Sequence, residues 1–203
     1  MSRFTGPRVK VMRALGVELP GLSAKKTERR PYPPGQHGQA RRKLSEYGLR
    51  LREKQKVRAN YGVGERQLRR VMTEARASSG VTGAKLIELL ERRLDNVVFR
   101  SGFARTIPSA RQLVAHSHVL VNGKRVDIPS FRVSPGQVIS FREKSQKIMP
   151  VEAGLTRTDL LPPPWLEINR ETRTAKMTIV PDETAVPFAL QVQLVIEYYS
   201  QRL

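Results

Sequence analysis

Asn122-Gly123, set between "HVLV" and "KRVDI", reverses the chain within two residues. A two-residue type I′ turn needs positive φ at both central positions, and Asn followed by Gly adopts that at the least cost. Val119, Leu120 and Val121 enter the turn, and Val126 and Ile128 leave it, so the spacing predicts a well-registered antiparallel hairpin. Its tip carries two cations, Lys124 and Arg125. A rigid basic tip on a small sheet demands elements to back the sheet and a partner to face the charge.

Helical patterns precede the hairpin. Ser45 is an N-cap for a helix through "EYGLRLREKQKVRAN", stopping near Gly62. In "ERQLRRVMTEARASSG", Leu68, Val71, Met72 and Ala75 recur at helical spacing, and Arg66, Arg69, Arg70 and Arg76 take the other face. Thr82 caps a single run, "GAKLIELLERRLDNVVF", with Leu86, Ile87, Leu90 and Leu94 inward. Thr106 caps "IPSARQLVAH", where Pro108 falls in the first turn, Ala110, Leu113 and Val114 face inward, and Arg111 faces out. After the hairpin, "SPG" turns the chain into the strand "QVISF". Residues 143–165 are Pro-rich and carry no helical pattern, while "WLEI" and "AKMTIV" read as strands. "VQLVIEYYSQ" fits a strand or a helix equally by pattern. Residues 1–44 read as irregular, because "RRPYPPGQHGQARRK" alternates turn formers with cations. The expectation there is order acquired on binding.

Charge says what kind of partner. The chain holds 37 Lys and Arg against 18 Asp and Glu, a net of +19. So large an excess repels itself unless a polyanion neutralises it, which points to nucleic acid. Residues 1–58 carry a net of +12, 59–142 a net of +8, and 143–203 a net of −1. The polyanion is therefore expected along the first two thirds, with the last third packing or meeting protein. No stretch has the length and apolarity of a membrane span, so no membrane partner is expected. With no cysteine, disulfides and thiolate metal sites are excluded. "MSRFTGPRVKVMRALG" lacks an apolar core of signal-peptide length, and the expected location is cytoplasmic or plastid-stromal.

Catalytic motifs are missing. His37, His116 and His118 have neither Cys partners nor H-E-x-x-H spacing, and no phosphate loop or nucleophile elbow is present. Arg93-Leu94-Asp95 resembles the R-L-D of pseudouridine synthases, whose Asp is the nucleophile. Here it lies in a helical pattern with too short a chain behind it for a catalytic domain, and Asp95 reads as a cap or ion-pair partner. Neither cofactor, metal nor small-molecule substrate is expected.

"LERRLDNVVFRSGFARTIPSARQLVAHSHVLVNGKRVDIPSFRVSPGQVI" resembles the small RNA-binding domain named after S-four. "PPGQHGQARRKLSEYGLRLREKQKVRANYGVGERQ", the opening "MSRFTGPR" and the closing "LVIEYYS" are similar to the ribosomal protein family of that name, in its bacterial, cyanobacterial and chloroplast form. The resemblance implies an α+β protein. An N-terminal basic arm (1–44) and a helical domain (45–91, completed by 181–203) would carry an inserted S-four-type domain (92–142) of two helices on a small twisted antiparallel sheet. Residues 143–180 would be a Pro-rich connection with short strands, and the ambiguous tail a helix packed on the 45–90 helices. The implied function is direct, early binding of 16S ribosomal RNA in the five-prime domain, nucleating assembly. Implied partners are mRNA at its entrance, small-subunit protein five, with an influence on decoding accuracy, and other small-subunit proteins. A stand-alone RNA chaperone or an RNA-modifying enzyme with the same domain is the alternative.

Resemblance and charge together make Arg3, Arg8, Lys10, Arg13, Arg29, Arg30, His37, Lys54, Lys56, Arg58, Arg66, Arg69, Arg70, Arg105, Arg111, Gln112, His116, Lys124 and Arg125 the candidate rRNA contacts. Arg41, Arg42 and Lys43 are candidates for the mRNA entrance. Some family members hold zinc through four N-terminal cysteines. Val9 and Met12 occupy the first pair here, so RNA is expected to order that segment instead.

Overall fold

A computed structural model of the chain describes residues 5–40, 43–156 and 161–200. Among these, eight α-helices form: α1 (Arg8–Leu15), α2 (Glu46–Tyr61), α3 (Glu65–Ala77), α4 (Thr82–Glu91), α5 (Leu94–Arg100), α6 (Ile107–Ala115), α7 (Met149–Leu155) and α8 (Val192–Ser200). Five strands accompany them: β1 (Val119–Val121), β2 (Lys124–Arg125), β3 (Val138–Phe141), β4 (Leu166–Asn169) and β5 (Thr174–Met177). Two units divide the chain, one within Met1–Leu86 and Val186–Leu203, the other within Ile87–Ala185.

In the first unit the Ser45 hydroxyl accepts the Gly48 amide at 3.2 Å and starts α2. Gly62, at φ 59, ends α2 by donating its amide to the Arg58 carbonyl. Leu68, Met72 and Ala75 of α3 are buried, as their spacing predicts. The ambiguous tail is a helix, α8, packed on α2 and α3. Arg50 of α2 meets Glu197 of α8 at 2.8 Å, and Arg76 of α3 donates to the Ile196 carbonyl at 3.5 Å. Glu53 accepts the Gln191 amide at 3.1 Å, just ahead of α8, where unpaired amides favour an anion.

The N-terminal segment departs from the irregular reading. Residues 8–15 form α1, and Met12, Leu19 and Leu22 make a small core with Val9, Val11, Leu15, Val17, Ala59 and Phe188 around it. The Met12 sulfur accepts the Leu19 amide, and Asn60 of α2 accepts the Gly21 amide at 2.9 Å. This core and its contacts with α2 correct the reading of residues 1–44 as wholly irregular. Two of the six surrounding apolar residues, Ala59 and Phe188, lie far along the chain, which conceals the pattern.

The second unit is built on a five-stranded antiparallel sheet of order β2-β1-β3-β5-β4. β4 and β5, from beyond residue 142, thus extend the hairpin's own sheet. Val119, Val121, Ile139, Phe141, Leu166, Ala175 and Met177 are buried on one face. Thr106 caps α6 through the Ser109 amide at 3.4 Å, and Pro108 lies in the first turn.

Three readings of this unit need correction. The run expected as one helix from Thr82 breaks at Arg92 and Arg93, which is extended and bridges to Arg132. The amides of Leu94 and Asp95 donate to the Phe131 and Pro129 carbonyls, and that of Val133 to the Arg92 carbonyl. The same bonds pull the chain off the hairpin, so β2 holds only two residues and Ile128 is exposed. Within 143–165, residues 149–155 form α7, whose Gly154 lies against the backbone of Gly102, Phe103 and Ala104.

Candidate nucleic-acid interface

The hairpin tip is held as its sequence predicts. Asn122 and Gly123 take φ of 48 and 76, and Val121 pairs with Lys124 across the turn. Asn122 is also tied to β3: its amide donates to the Val138 carbonyl, and its side-chain oxygen accepts the Val138 amide, both at 2.8 Å. Lys124 and Arg125 are exposed at a tip that is therefore fixed from two sides. Gln112 and His116 of the neighbouring sequence are also exposed.

His118 is turned differently from His116. Its ring nitrogen Nδ1 bonds the buried Ser145 hydroxyl at 2.9 Å. Burial first, then the nearby His116 and Arg142, hold its pKa below the ordinary histidine value, favouring the neutral ring. Ser117 between them has φ 60, since it closes α6 in the left-handed conformation.

Arg111 was expected to face out, and the structure gives it a carboxylate. Its Nε and Nη2 donate to Asp95 Oδ2 at 3.0 and 2.7 Å. Arg93 donates to the same carboxylate at 3.1 and 2.8 Å, and the Asn96 amide at 3.0 Å. Asp95 is fully buried, so it is an ion-pair partner and has no open approach for a substrate. Two guanidinium groups on one carboxylate leave a net positive charge at the start of α5.

Arg66, Arg69 and Arg70 stand exposed along one face of α3. Arg58 and Arg105 are exposed as well, as are Lys10, Arg29, Arg30, His37 and Lys43, while Arg8 is half-buried. Arg13 is half-buried over the Tyr32 ring, 5.1 Å from its centre, and donates to the Tyr32 carbonyl at 3.0 Å. Arg3, Arg41 and Arg42 lie outside the described residues.

Lys54 and Lys56 sit differently from a surface cation. Lys54 is buried, 2.9 Å from Glu65 and 4.7 Å from the centre of the Tyr198 ring. Lys56 pairs with Glu53 at 2.5 Å and donates to the Ala189 carbonyl at 3.3 Å. Burial works to raise the Glu65 carboxyl, and hydrogen bonds from Lys54 and Tyr199 more than offset it, holding the group below its ordinary value. Burial and that same bond push the Tyr199 hydroxyl well above its ordinary value. Conversely, Arg142 and Lys176 are exposed cations on the sheet that are absent from the candidate contacts, and Lys176 lies in the segment whose charge sums to −1. Reading the alternation of "QVISFR" and "TAKM" as outward-facing positions would have found them.

No group of three or more metal-ligating side chains occurs among the described residues, and no described helix is long and apolar enough to cross a membrane. The buried polar groups tie elements together, and most of the exposed charged side chains among the described residues are cations. That is a surface for many phosphates.

Two family models match in tandem: Ribosomal protein S4/S9 N-terminal domain over residues 3–91 and S4 domain over residues 92–139. The chain is 55% identical over 205 residues to small ribosomal subunit protein uS4 of Methylobacillus flagellatus, covering the whole of both chains. It is 54% identical to the protein of that name from Rippkaea orientalis and 53% identical to that from Synechocystis sp., again over the whole of both. Matched from end to end at more than half of its positions, with both domains in family order, the chain belongs to the uS4 family of small-subunit ribosomal proteins.

Proposed function

We propose that the chain is a structural, non-enzymatic component of the small ribosomal subunit that binds 16S ribosomal RNA directly. The observation that carries this reading is similarity over the whole chain, at 55% identity in one case, to proteins named for that subunit. The basic hairpin tip and the arginine face of α3 support it physically. Each presents exposed cations on a preformed element, so little ordering entropy opposes binding. Binding occurs early, in the five-prime domain, and nucleates assembly around it. The ribosome that incorporates the chain is cytoplasmic, or stromal for an organelle-encoded copy. The finer partners are small-subunit protein five, through which the chain influences decoding accuracy, and mRNA at its entrance, held by Arg41, Arg42 and Lys43.

Sedimentation tests the reading. The tagged chain in a cell lysate at moderate salt is expected to travel with the small subunit through a sucrose gradient. Recovery only at the top of the gradient refutes it. On a five-prime-domain RNA fragment, neutralising six to ten phosphates makes affinity fall about 10³–10⁵-fold between roughly 50 and 200 mM salt. Lys124→Ala with Arg125→Ala is expected to weaken that binding while leaving thermal unfolding unchanged.

A further inference from the structure

The sheet of the second unit has two faces, and only one is buried. Along β1, β3 and β5 the buried residues alternate with Leu120, Val138, Ser140, Thr174 and Lys176, all half-buried or exposed. Register places them in rows across the strands. Arg125 lies opposite Leu120, which lies opposite Ser140, and Val138 lies opposite Lys176, which lies opposite Glu167. Arg142 continues the β1–β3 ladder by donating its amide to the His118 carbonyl. It directly follows the buried Phe141, and alternation turns it to the open face. One sheet face thus presents three exposed cations, Arg125, Arg142 and Lys176, from three strands or strand ends, against two exposed acids at the β4 edge, Glu167 and Glu171.

We propose that this open face is a second nucleic-acid surface, on which the backbone of ribosomal RNA crosses the strands from the hairpin tip to Lys176. Charge decides the occupant. Several cations elsewhere in this unit are tied to carboxylates, as at Arg92 with Glu88 and Arg93 with Asp95. Here they stand on a lattice with about 4.8 Å between strands, which holds them at fixed separations for contact with phosphates. The half-buried Leu120 and Val138 between them take the apolar edge of a ribose. Two of the three cations belong to strands or strand ends outside the hairpin, and Lys176 lies in the third of the sequence whose charge sums to −1. Folding brings that lysine beside the hairpin's sheet and makes it part of a basic surface.

This inference rests on the proposed rRNA binding, and one titration separates the two. Four full-length proteins are compared on a five-prime-domain RNA fragment: wild type, Arg142→Gln with Lys176→Gln, Arg142→Lys with Lys176→Arg, and a Lys124→Ala tip variant, which leaves all three cations of the face in place. Removing two phosphate contacts lowers the log–log salt slope by about 1.4–1.8, so the affinity lost between about 50 and 200 mM salt shrinks by roughly tenfold. The glutamine pair is expected to show that change with unaltered thermal unfolding, and the charge-preserving pair to keep the wild-type slope. Wild-type slope and affinity in the glutamine pair, alongside a weakened tip variant, overturn the inference and assign the face to protein. Loss of slope in the charge-preserving pair also overturns it, since shape rather than charge is then what matters. A wild-type protein that fails to bind the fragment refutes the rRNA reading itself.

Discussion

Asn122 Oδ1 accepts the Val138 amide at 2.8 Å, in the place a regular antiparallel ladder gives to the Asn122 carbonyl. The Asn122 amide already donates to the Val138 carbonyl, so the two residues form the next hydrogen-bonded pair beyond Val121 and Ile139. Positive φ at Asn122 swings its own carbonyl away, and the side chain replaces the lost acceptor. Asn is therefore required twice at this position, for its tolerance of the turn and for its oxygen.

Substitutions separate the two roles. Asn122→Gly keeps the turn and loses the acceptor, and is expected to cost about 0.5–1 kcal/mol. Gly123→Val forces a β-branched residue to positive φ and costs on the order of 1–2 kcal/mol or more. Urea unfolding followed by circular dichroism measures both, and equal stability of Asn122→Gly and wild type would remove the acceptor role.

Ser117 holds a conformation that suits glycine. At φ 60 it pays a steric penalty that Ser117→Gly relieves. The substitution is expected to raise stability by up to about 1 kcal/mol, the balance of removed strain and added chain entropy. A lower melting temperature would show that the serine side chain contributes more than its backbone strain removes.

Gly154 of α7 has no room for a side chain. A Cβ there would stand 2.5 Å from the Phe103 carbonyl carbon and 2.6 Å from the Ala104 nitrogen. Backbone cannot swing aside as a side chain does, so Gly154→Ala is expected to destabilise by about 1–3 kcal/mol despite alanine's better helix propensity. Thermal unfolding decides it: a gain in stability would mean that α7 moves off the 102–104 loop at little cost.

Acid should loosen the α2–α3–α8 packing through Glu65. A carboxyl held below its ordinary value of 4.5 stabilises the fold above that pH, and the contribution is lost as pH falls through the lowered value. Glu65→Gln is expected to reduce stability at pH 7 and to flatten the acid side of the stability profile. Parallel profiles for the two proteins between about pH 6 and 3 would rule this out.

Local chemistry made some elements legible, and remote partners hid others. The Ser45 and Thr106 caps and the Asn-Gly turn act within four residues, so the sequence displays them completely. The break between α4 and α5 is made by residues 129–133, almost forty positions away, and periodicity through Leu90 and Leu94 conceals it. Site residues divide the same way. Lys124 and Arg125 are exposed because the turn beside them requires it. Lys54 and Arg111 look identical in sequence to surface cations, and only the folded chain supplies Glu65 and Asp95.

The mRNA assignment predicts a selective defect. Replacing Arg41, Arg42 and Lys43 by alanine is expected to leave subunit assembly near normal in gradient profiles and to slow translation through a stable mRNA hairpin. Equal slowing on structured and unstructured messages, or failed assembly, would return these residues to plain rRNA binding.

Helix α8 reaches α2 and α3 only after the whole second unit has been synthesised. Until then α2 and α3 lack the helix that packs on them, and Glu65 lacks Tyr199. The nascent first unit is therefore unfinished throughout most of its own translation, holding many cations beside uncovered apolar surface, a combination prone to aggregation with nucleic acid. The second unit spans an uninterrupted run of chain and can close as soon as it emerges. Birth order and folding order are thus reversed, and the part of the protein made first is the part completed last.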